Sequence, residues 1–184
     1  RATVRDDEGN EAPVGQPGRL AVIGPTGCRY LDDERQTVYV QDGWNITGDT
    51  YSRDADGYFT FHARSDDMIV TAGYDVGAPV VEAAVDTHPG VVESAVVGRP
   101  DPEKGAIVNA FVVLQPGILA NDDTRQSIQE AIRPVLSPFK LPRRIDFVDA
   151  LPRNPSGKIQ HFPLRERAQA EATAEQLTTD VKDA

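Results

Sequence analysis

Alternation of apolar and polar residues predicts β-strands through the first third of the chain. The segment RLAVI, residues 19–23, follows a Pro-Gly turn and is typical of a short strand. The segment TVYVQ, residues 37–41, alternates and predicts another strand. Two further runs, NITGDTYS and YFTFHAR, flank residues 54–57, where Asp and Gly tolerate the dihedral angles of a turn. We therefore expect a small β-rich unit that includes a β-hairpin.

Helical spacing replaces the strand pattern shortly after Arg64. Residues 81–88 place Val, Ala, Val and His at i, i+3, i+4 and i+7, and Pro79 precedes them at a position that suits the first turn of a helix. Pro89 and Gly90 are expected to end this helix. The runs SAVVG and IVNAFVVL then predict two strands.

The remaining chain adds a helix, a strand and a helical tail. Residues 121–123 offer an N-cap for a helix whose apolar positions follow at helical spacing, and Pro134 should end or kink it near Arg133. The segment RIDFV, residues 144–148, predicts a third strand. The tail from Phe162 is rich in Ala, Glu and Gln, which favours a helix with a frayed end.

These elements predict a fold of the α/β (α+β) class. A small β-rich unit is followed by a compact lobe in which helices flank a short sheet. The change of pattern places the boundary between residues 65 and 66, so that the lobe covers residues 66–168 and the tail covers residues 169–184.

Net charge narrows the classes of function. The 184-residue chain carries a net charge of −10, which argues against a nucleic-acid partner. The charge is uneven, because residues 140–167 hold seven basic and three acidic residues and so carry +4. Such a segment suits a local anion such as phosphate or carboxylate, and a solvated basic face is the alternative.

Several features predict a cytoplasmic globular protein. No apolar run approaches the roughly 20 residues of a membrane helix, and the polar start RATVRDDEGNE does not resemble a signal segment. This start lacks an initiator Met, which indicates a fragment. The single cysteine, Cys28, has no intrachain disulfide partner, which is consistent with a reducing compartment. We expect Cys28 to be a small buried apolar residue.

Four acidic or basic positions around the boundary could take part in chemistry or in a hinge. Asp49, in TGD, could accept two hydrogen bonds from vicinal hydroxyls such as those of a ribose. Arg64 could reach the same ribose or a phosphate. Asp66 and Asp67 are adjacent, so on an extended backbone they point to opposite sides and suit a hinge better than an acid/base pair. A plain turn role for Asp49 is the alternative.

Lys158, in LPRNPSGKIQH, allows more than one interpretation. Gly157 before it permits a close backbone approach to a ligand, and an ammonium suits an oxygen that becomes negative in a transition state. Ile159 follows, so SGK is not a nucleotide-binding P-loop. From spacing alone, a surface lysine and a catalytic lysine both stay open. His62, His88 and His161 are scattered and suggest structural roles, and no His, Cys or Asp cluster predicts a metal site.

Taken in order, several motifs resemble the adenylate-forming superfamily of acyl-CoA synthetases and adenylation domains. They are DGWNITGD, GYFTFHARSDDMI, TAGYDVGAPVVEAAVDTHPGVVESAVVGRPDPEKG and LPRNPSGKI. The segments GPTGCRYLDDERQ and GWNITGDTY are most similar to the benzoate and 2-aminobenzoate CoA ligases, followed by the medium-chain acyl-CoA synthetases. The resemblance implies that a carboxylic acid attacks Mg-ATP to give an acyl-adenylate, which the CoA thiol then converts to a thioester.

The resemblance also implies roles for individual residues in nucleotide chemistry. Asp49 matches the aspartate that binds the ribose hydroxyls, and Arg64 matches an arginine that contacts the nucleotide. Asp66 matches the hinge of a mobile C-terminal lid. Lys158 matches the lysine that contacts the carboxylate and α-phosphate oxygens during adenylation.

A second group matches the CoA-binding residues of the family. Gly73 and Tyr74 match the loop that lines the pantetheine tunnel, and Lys104 stands where some relatives use a basic residue against the CoA nucleotide. Two departures are visible. Asp75 replaces a frequent basic residue after GY, which puts one phosphate contact in doubt, and the Pro-x-Glu-Val-Glu motif has lost one acid at residues 79–82.

The family's phosphate loop and acyl pocket do not occur in this sequence. Residues 1–65 then correspond to the β-rich end of the large N-terminal adenylation domain, and residues 66–168 correspond to the lid. We expect the missing domain to be the chain's partner and the fragment alone to bind ATP, Mg²⁺ and CoA poorly. Two alternatives are the adenylation portion of a carrier-protein-loading enzyme, although no carrier segment follows TTDVKDA, and a non-catalytic binding module.

Overall fold

The computed structural model describes residues 1–24 and 36–182 and divides the chain into two compact units, Arg1–Asp66 and Asp67–Ala184. The predicted burial of Cys28 and most of the segment GPTGCRYLDDERQ lie outside the described residues.

An antiparallel sheet forms the first unit. Its order is β1-β2-β4-β3, and a further strand, β5, also pairs with β4. The predicted hairpin is confirmed, because β4 and β5 are joined by a turn in which the Asp54 carboxylate accepts hydrogen bonds from the N–H groups of Asp56 and Tyr58 at 3.0 and 2.8 Å. The elements are β1 (Ala2–Arg5), β2 (Gly18–Val22), α1 (Gln36–Tyr39), β3 (Val40–Gln41), β4 (Trp44–Arg53) and β5 (Phe59–Arg64).

The prediction of a strand over residues 37–41 is wrong for its first three residues. They lie in the short helix α1, and only Val40 and Gln41 pair with β4. Asp42 and Gly43 follow with φ angles of 51° and 80°, so the chain reverses at once. Because of this tight turn, only two residues can pair with the edge of β4. A strand needs a neighbouring strand as its hydrogen-bonding partner, so the alternating apolar and polar pattern does not extend it further.

The second unit begins with a small hairpin and continues with a three-stranded sheet. The sheet order is β10-β9-β8, in which β8 and β9 are antiparallel and β9 and β10 are parallel. The elements are β6 (Met68–Thr71), β7 (Tyr74–Gly77), α2 (Ala78–Val85), β8 (Val91–Asp101), β9 (Gly105–Leu114), α3 (Asp122–Ile132), β10 (Arg144–Phe147) and α4 (His161–Lys182).

Helices cover both faces of this sheet, as the predicted fold class requires. Val96, Val108 and Val112 point to one face and pack with Val81 of α2 and Ile128 of α3, among other buried residues. The alternate positions point to the other face, where Ala95, Val97 and Phe111 pack with Leu164 and Ala168 of α4. Successive side chains of a strand point to opposite faces, and both faces of this sheet are covered by helices. Both sets of side chains are therefore apolar, and the strands are long apolar runs.

Helix ends follow the predicted signals with one exception. The Asn121 side chain accepts a hydrogen bond from the Thr124 N–H at 2.9 Å and caps α3, which ends before Arg133. Helix α2 carries Pro79 in its first turn. The exception is His88, which lies beyond α2, because the helix already ends at Val85.

The sequence pattern does not predict the hairpin of β6 and β7. Its strands are only four residues long, and the turn between them places Ala72 and Gly73 at φ angles of 49° and 81°. Positive φ at both central residues is typical of a type I′ turn, which Asn-Gly signals more clearly than the Ala-Gly found here.

Candidate functional site

Asp49 and Arg64 face the same side of the first unit's sheet. They are register partners on β4 and β5, and directly opposed residues of antiparallel strands project to one face. Asp49 is half-buried and Arg64 is exposed. Gly48 has a φ of 77°, and a Cβ there would lie 3.5 Å from an Arg64 guanidinium nitrogen. The hairpin therefore sets an acceptor and a cation side by side.

Asp66 and its neighbour Asp67 have different surroundings. Both belong to a single 3₁₀ turn, Ser65–Asp67, and the division between the two compact units falls after Asp66. Asp66 is exposed, whereas Asp67 is half-buried and its carboxylate accepts a hydrogen bond from Arg165 of α4 at 2.9 Å. Asp67 is thus tied into the second unit.

Gly73, Tyr74 and Lys104 lie close together in the second unit. The turn of the β6–β7 hairpin docks on Lys104, because the Ala72 N–H donates a hydrogen bond to the Lys104 carbonyl at 2.9 Å. The exposed Tyr74 ring stacks on Phe139, with ring centroids 4.5 Å apart and an interplanar angle of 15°. The sequence pattern does not point to Phe139, because this residue lies far from Tyr74 along the chain and only the fold brings the two rings together.

Lys158 is presented by a tightly bonded turn. The Asn154 side-chain oxygen accepts hydrogen bonds from the Ser156 hydroxyl at 2.8 Å, the Ser156 N–H at 3.1 Å and the Lys158 N–H at 2.9 Å. The Gly157 N–H donates to the Asn154 carbonyl, and the Asn154 N–H donates to the Lys158 carbonyl, each at 2.9 Å. Gly157 has a φ of 83°, which glycine adopts without strain. The Lys158 side chain itself is exposed.

Ion pairs occupy much of the basic segment at residues 140–167. Arg144 bonds Asp146 and Glu175 at 2.9 Å, Arg153 pairs with Glu93, and Arg165 and Arg167 pair with Asp67 and Glu171. Within the part of the chain that the structure describes, four of the seven cations are therefore matched by carboxylates. This local neutralisation weakens the interpretation of the whole segment as an anion site. Lys140, Arg143 and Lys158 are the other three cations, and of these Lys158 lies on the bonded turn of residues 154–158.

His161 forms an ion pair that the sequence pattern does not predict. Its Nε2 lies 2.7 Å from Glu82 Oε1, and this carboxylate also accepts the Val96 N–H at 2.8 Å. The hydrogen bond to Glu82 is the main cause of a raised pKa of His161, although burial acts in the opposite direction. The pair joins the start of α4, three residues after Lys158, to helix α2.

Burial also perturbs a carboxyl group at the end of α2. Desolvation raises the pKa of Asp86, and the hydrogen bond from the Ser94 hydroxyl at 2.7 Å opposes that shift. Among residues 1–24 and 36–182, no three His, Cys, Asp or Glu side chains gather into a potential metal site. No described helix is both long and apolar enough to cross a membrane.

Comparison with known proteins identifies a family for part of this chain. Residues 80–158 match the family model described as AMP-binding enzyme C-terminal domain. Residues 80–158 therefore form an AMP-binding enzyme C-terminal domain. The matched range of this AMP-binding C-terminal domain includes Glu82, Lys104 and the bonded turn, and its last residue is Lys158.

Named relatives of this domain are acyl-CoA synthetases and related ligases. The mitochondrial acyl-coenzyme A synthetase ACSM5 of Homo sapiens is 44% identical over 171 residues, which cover 87% of this chain and 29% of that protein. The uncharacterized acyl-CoA ligase YtcI of Bacillus subtilis is 36% identical over 166 residues, which cover 88% of this chain and 31% of that protein. The chain thus spans about three tenths of these curated relatives.

Solved structures show the same similarity. The anthranilate CoA ligase AuaEII in complex with anthranoyl-AMP is 35% identical with a TM-score of 0.81, over 94% of this chain and 34% of that chain. The ATP-bound MatB from Rhodopseudomonas palustris is 34% identical with a TM-score of 0.78, over 94% of this chain and 34% of that chain. The predicted resemblance to adenylate-forming enzymes is confirmed.

Proposed function

We propose that this chain is the C-terminal portion of an ATP-dependent, AMP-forming acid–CoA ligase, and that Lys158 serves its adenylation step. The observation that carries the proposal is the turn of residues 154–158, which holds the backbone beside Lys158 and leaves the ammonium exposed at the end of the matched domain. The similarity to an anthranilate CoA ligase and to acyl-CoA synthetases supports the reaction class.

In the first half-reaction a carboxylate oxygen attacks the α-phosphorus of ATP, and pyrophosphate leaves. We assign to Asp49 the binding of the ribose hydroxyls and to Arg64 a contact to the nucleotide, since the two face one side of the hairpin. Lys158 donates hydrogen bonds to the carboxylate and α-phosphate oxygens, where negative charge develops. In phosphoryl-type transfer such positioning and charge stabilisation supply most of the catalysis.

In the second half-reaction the CoA thiol attacks the acyl-adenylate and AMP leaves. We assign Gly73, Tyr74 and Lys104 to CoA, because the hydrogen bond between Ala72 and Lys104 keeps them close together. Asp66 is the proposed hinge, and residues 66–168 are the proposed lid. A lysine on a lid acts only when the lid is closed, which also keeps water from the adenylate.

The proposed acid substrate is aromatic, of the benzoate or 2-aminobenzoate type, with a medium-chain acid as the alternative. The similarity to the anthranilate CoA ligase supports the first choice. Mg²⁺ would accompany ATP, because this ion binds mainly through phosphates and water, and the described residues provide no cluster of their own for it. We propose a cytoplasmic location from the single cysteine, although ACSM5 is named as mitochondrial.

The test compares the two half-reactions in the complete enzyme that carries this segment. Lys158→Ala should lower adenylation, measured by ATP–pyrophosphate exchange, by roughly 100-fold or more, as expected when a group that stabilises transition-state charge is lost. It should spare thioester formation from supplied acyl-adenylate. Lys104→Ala is the matched control and should show the reverse split, with thioester formation weakened and adenylation retained.

Equal loss of both half-reactions in Lys158→Ala would contradict the proposed role. A companion measurement uses the 184-residue chain alone, which we expect to bind ATP or AMP poorly because the rest of the site lies elsewhere. Isothermal titration that detects binding in the micromolar range would refute that expectation.

A further inference from the structure

The guanidinium of Arg153 links the Lys158 turn to the central sheet. One nitrogen, Nη1, donates a hydrogen bond to the Gly157 carbonyl at 2.6 Å. The other, Nη2, pairs with the Glu93 carboxylate on β8, which lies 60 positions earlier in the chain. Arg153 and Ile159 also form an isolated antiparallel bridge, so both ends of the turn begin at one backbone pairing.

We propose that Arg153 is a positioning residue for Lys158, and that Glu93 anchors it. This inference rests on the proposed function of Lys158. Without Arg153 the turn is held by hydrogen bonds to Asn154 and, at its base, by the bond from the Gln160 N–H to the Pro152 carbonyl at 2.8 Å. All of these bonds stay within residues 152–160, so none of them ties the turn to β8, and a tie to the sheet should limit both the opening of the turn and its change of direction. The bond from Arg153 to Gly157 ties the residue directly before Lys158 to β8.

The chemistry of arginine suits this bridge. A planar guanidinium can donate in two directions at once, to a carbonyl on one side and a carboxylate on the other, which a lysine ammonium reproduces less well. Ile159, directly after Lys158, packs against the cluster that includes Ala95 and Phe111, so the turn is held by an apolar contact on one side and by Arg153 on the other. The backbone beside the exposed Lys158 side chain is thus held from both sides.

A positioning role predicts a specific kinetic pattern. Placement of a reacting group affects the chemical step and leaves ground-state binding of ATP unchanged. Arg153→Ala should therefore lower kcat for adenylation and leave the KM for ATP and the rate of thioester formation unchanged. Arg153→Lys, which keeps the charge and the partner Glu93, should recover part of the loss.

The first experiment measures amide hydrogen exchange in the 184-residue chain. Arg153→Ala should speed exchange at the Gly157 and Lys158 amides about tenfold, the order expected when a hydrogen bond to a charged group is lost. Exchange in α3 should be unchanged. Arg167→Ala is the matched control, because it removes an exposed arginine whose guanidinium pairs with Glu171 on α4 and lies over the Phe111 ring.

The second experiment is a double-mutant cycle in the complete enzyme. Arg153→Ala should lower adenylation about tenfold in the wild-type background and should cause no further loss in the Lys158→Ala background, because a residue that acts through Lys158 has nothing left to position. Arg167→Ala should leave adenylation unchanged in both backgrounds.

Different outcomes overturn different statements. If Lys158→Ala retains adenylation, the proposed function itself fails. If Lys158→Ala lowers adenylation and Arg153→Ala lowers it further by the same factor as in the wild type, Arg153 acts independently of Lys158 and the inference fails. Unchanged exchange at Gly157 and Lys158 in Arg153→Ala, or faster exchange with full adenylation activity, overturns it as well.

Discussion

Replacing His161 by glutamine should remove a pH-dependent contribution to the stability of the second unit. The ring nitrogen Nε2 lies 2.7 Å from Glu82 Oε1, and the two side chains are only 20% and 18% exposed. A hydrogen bond between charged groups contributes about 1.5–3 kcal/mol, and desolvation of the pair offsets part of this. We therefore expect a loss of about 1–2 kcal/mol at pH 6.

The sign of the pH dependence follows from the raised pKa of His161. A pKa raised above its unfolded value of 6.5 means that the pair's contribution is fully present below pH 6.5 and is lost as the pH rises through the folded value. Besides the bond to Glu82 on α2, the charge of Asp67 raises this pKa and that of Arg165 lowers it. The difference in stability between wild type and variant should therefore be largest near pH 6 and shrink towards pH 9.

Urea unfolding of the 184-residue chain at several pH values measures this difference. Trp44, the single tryptophan, lies in the first unit, so methyl signals of buried valines such as Val96 and Val108 should be followed instead. Glu82→Gln should remove the same pH-dependent part. The two substitutions together should change the pH dependence no more than either one alone, because both remove the same pair. A difference that stays constant or grows with pH would refute the reasoning.

Two further substitutions test the packing and charges of the second unit. Ile128→Ala should cost about 2–5 kcal/mol in urea unfolding, because this side chain is 0% exposed in the core and its removal leaves a cavity; a loss below about 1 kcal/mol would contradict that placement. Asp86→Asn should raise stability at pH 7, since burial raises the pKa of Asp86 and so disfavours its charge, while the amide oxygen still accepts the Ser94 hydroxyl. The gain should shrink as the pH falls through the raised folded pKa and be lost below the ordinary value of 3.8, where aspartate is protonated in both states; a gain independent of pH would speak against this explanation.

Local chemistry made several elements predictable. The β4–β5 hairpin follows from alternation on both sides of a turn whose Asp and Gly accept the required dihedral angles. The cap and the end of α3 follow from Asn121 and Pro134, which act on the backbone within one turn of the helix. These signals are readable because cause and effect lie within a few residues of each other.

Local sequence patterns do not predict the structure correctly where the choice of strand partner decides it. Residues 37–41 alternate like a strand, but only Val40 and Gln41 reach the edge of β4. The β6–β7 hairpin was missed because its strands are four residues long and its turn is an Ala-Gly pair. Alternation shows that a segment suits a half-buried surface, and it does not show which strand, if any, lies beside it.

For the candidate site, the sequence by itself determined the residue types: the acid of TGD, the arginine after the hairpin, and a lysine that follows a glycine able to adopt positive φ. Only the tertiary structure decided what holds them. Glu82 and His161 are 79 positions apart, and Glu93 and Arg153 are 60 positions apart. Folding of the sheet and helices brings these distant segments together, and the entropy cost of doing so is met by the fold as a whole. A local sequence pattern therefore does not show which distant residues will pair.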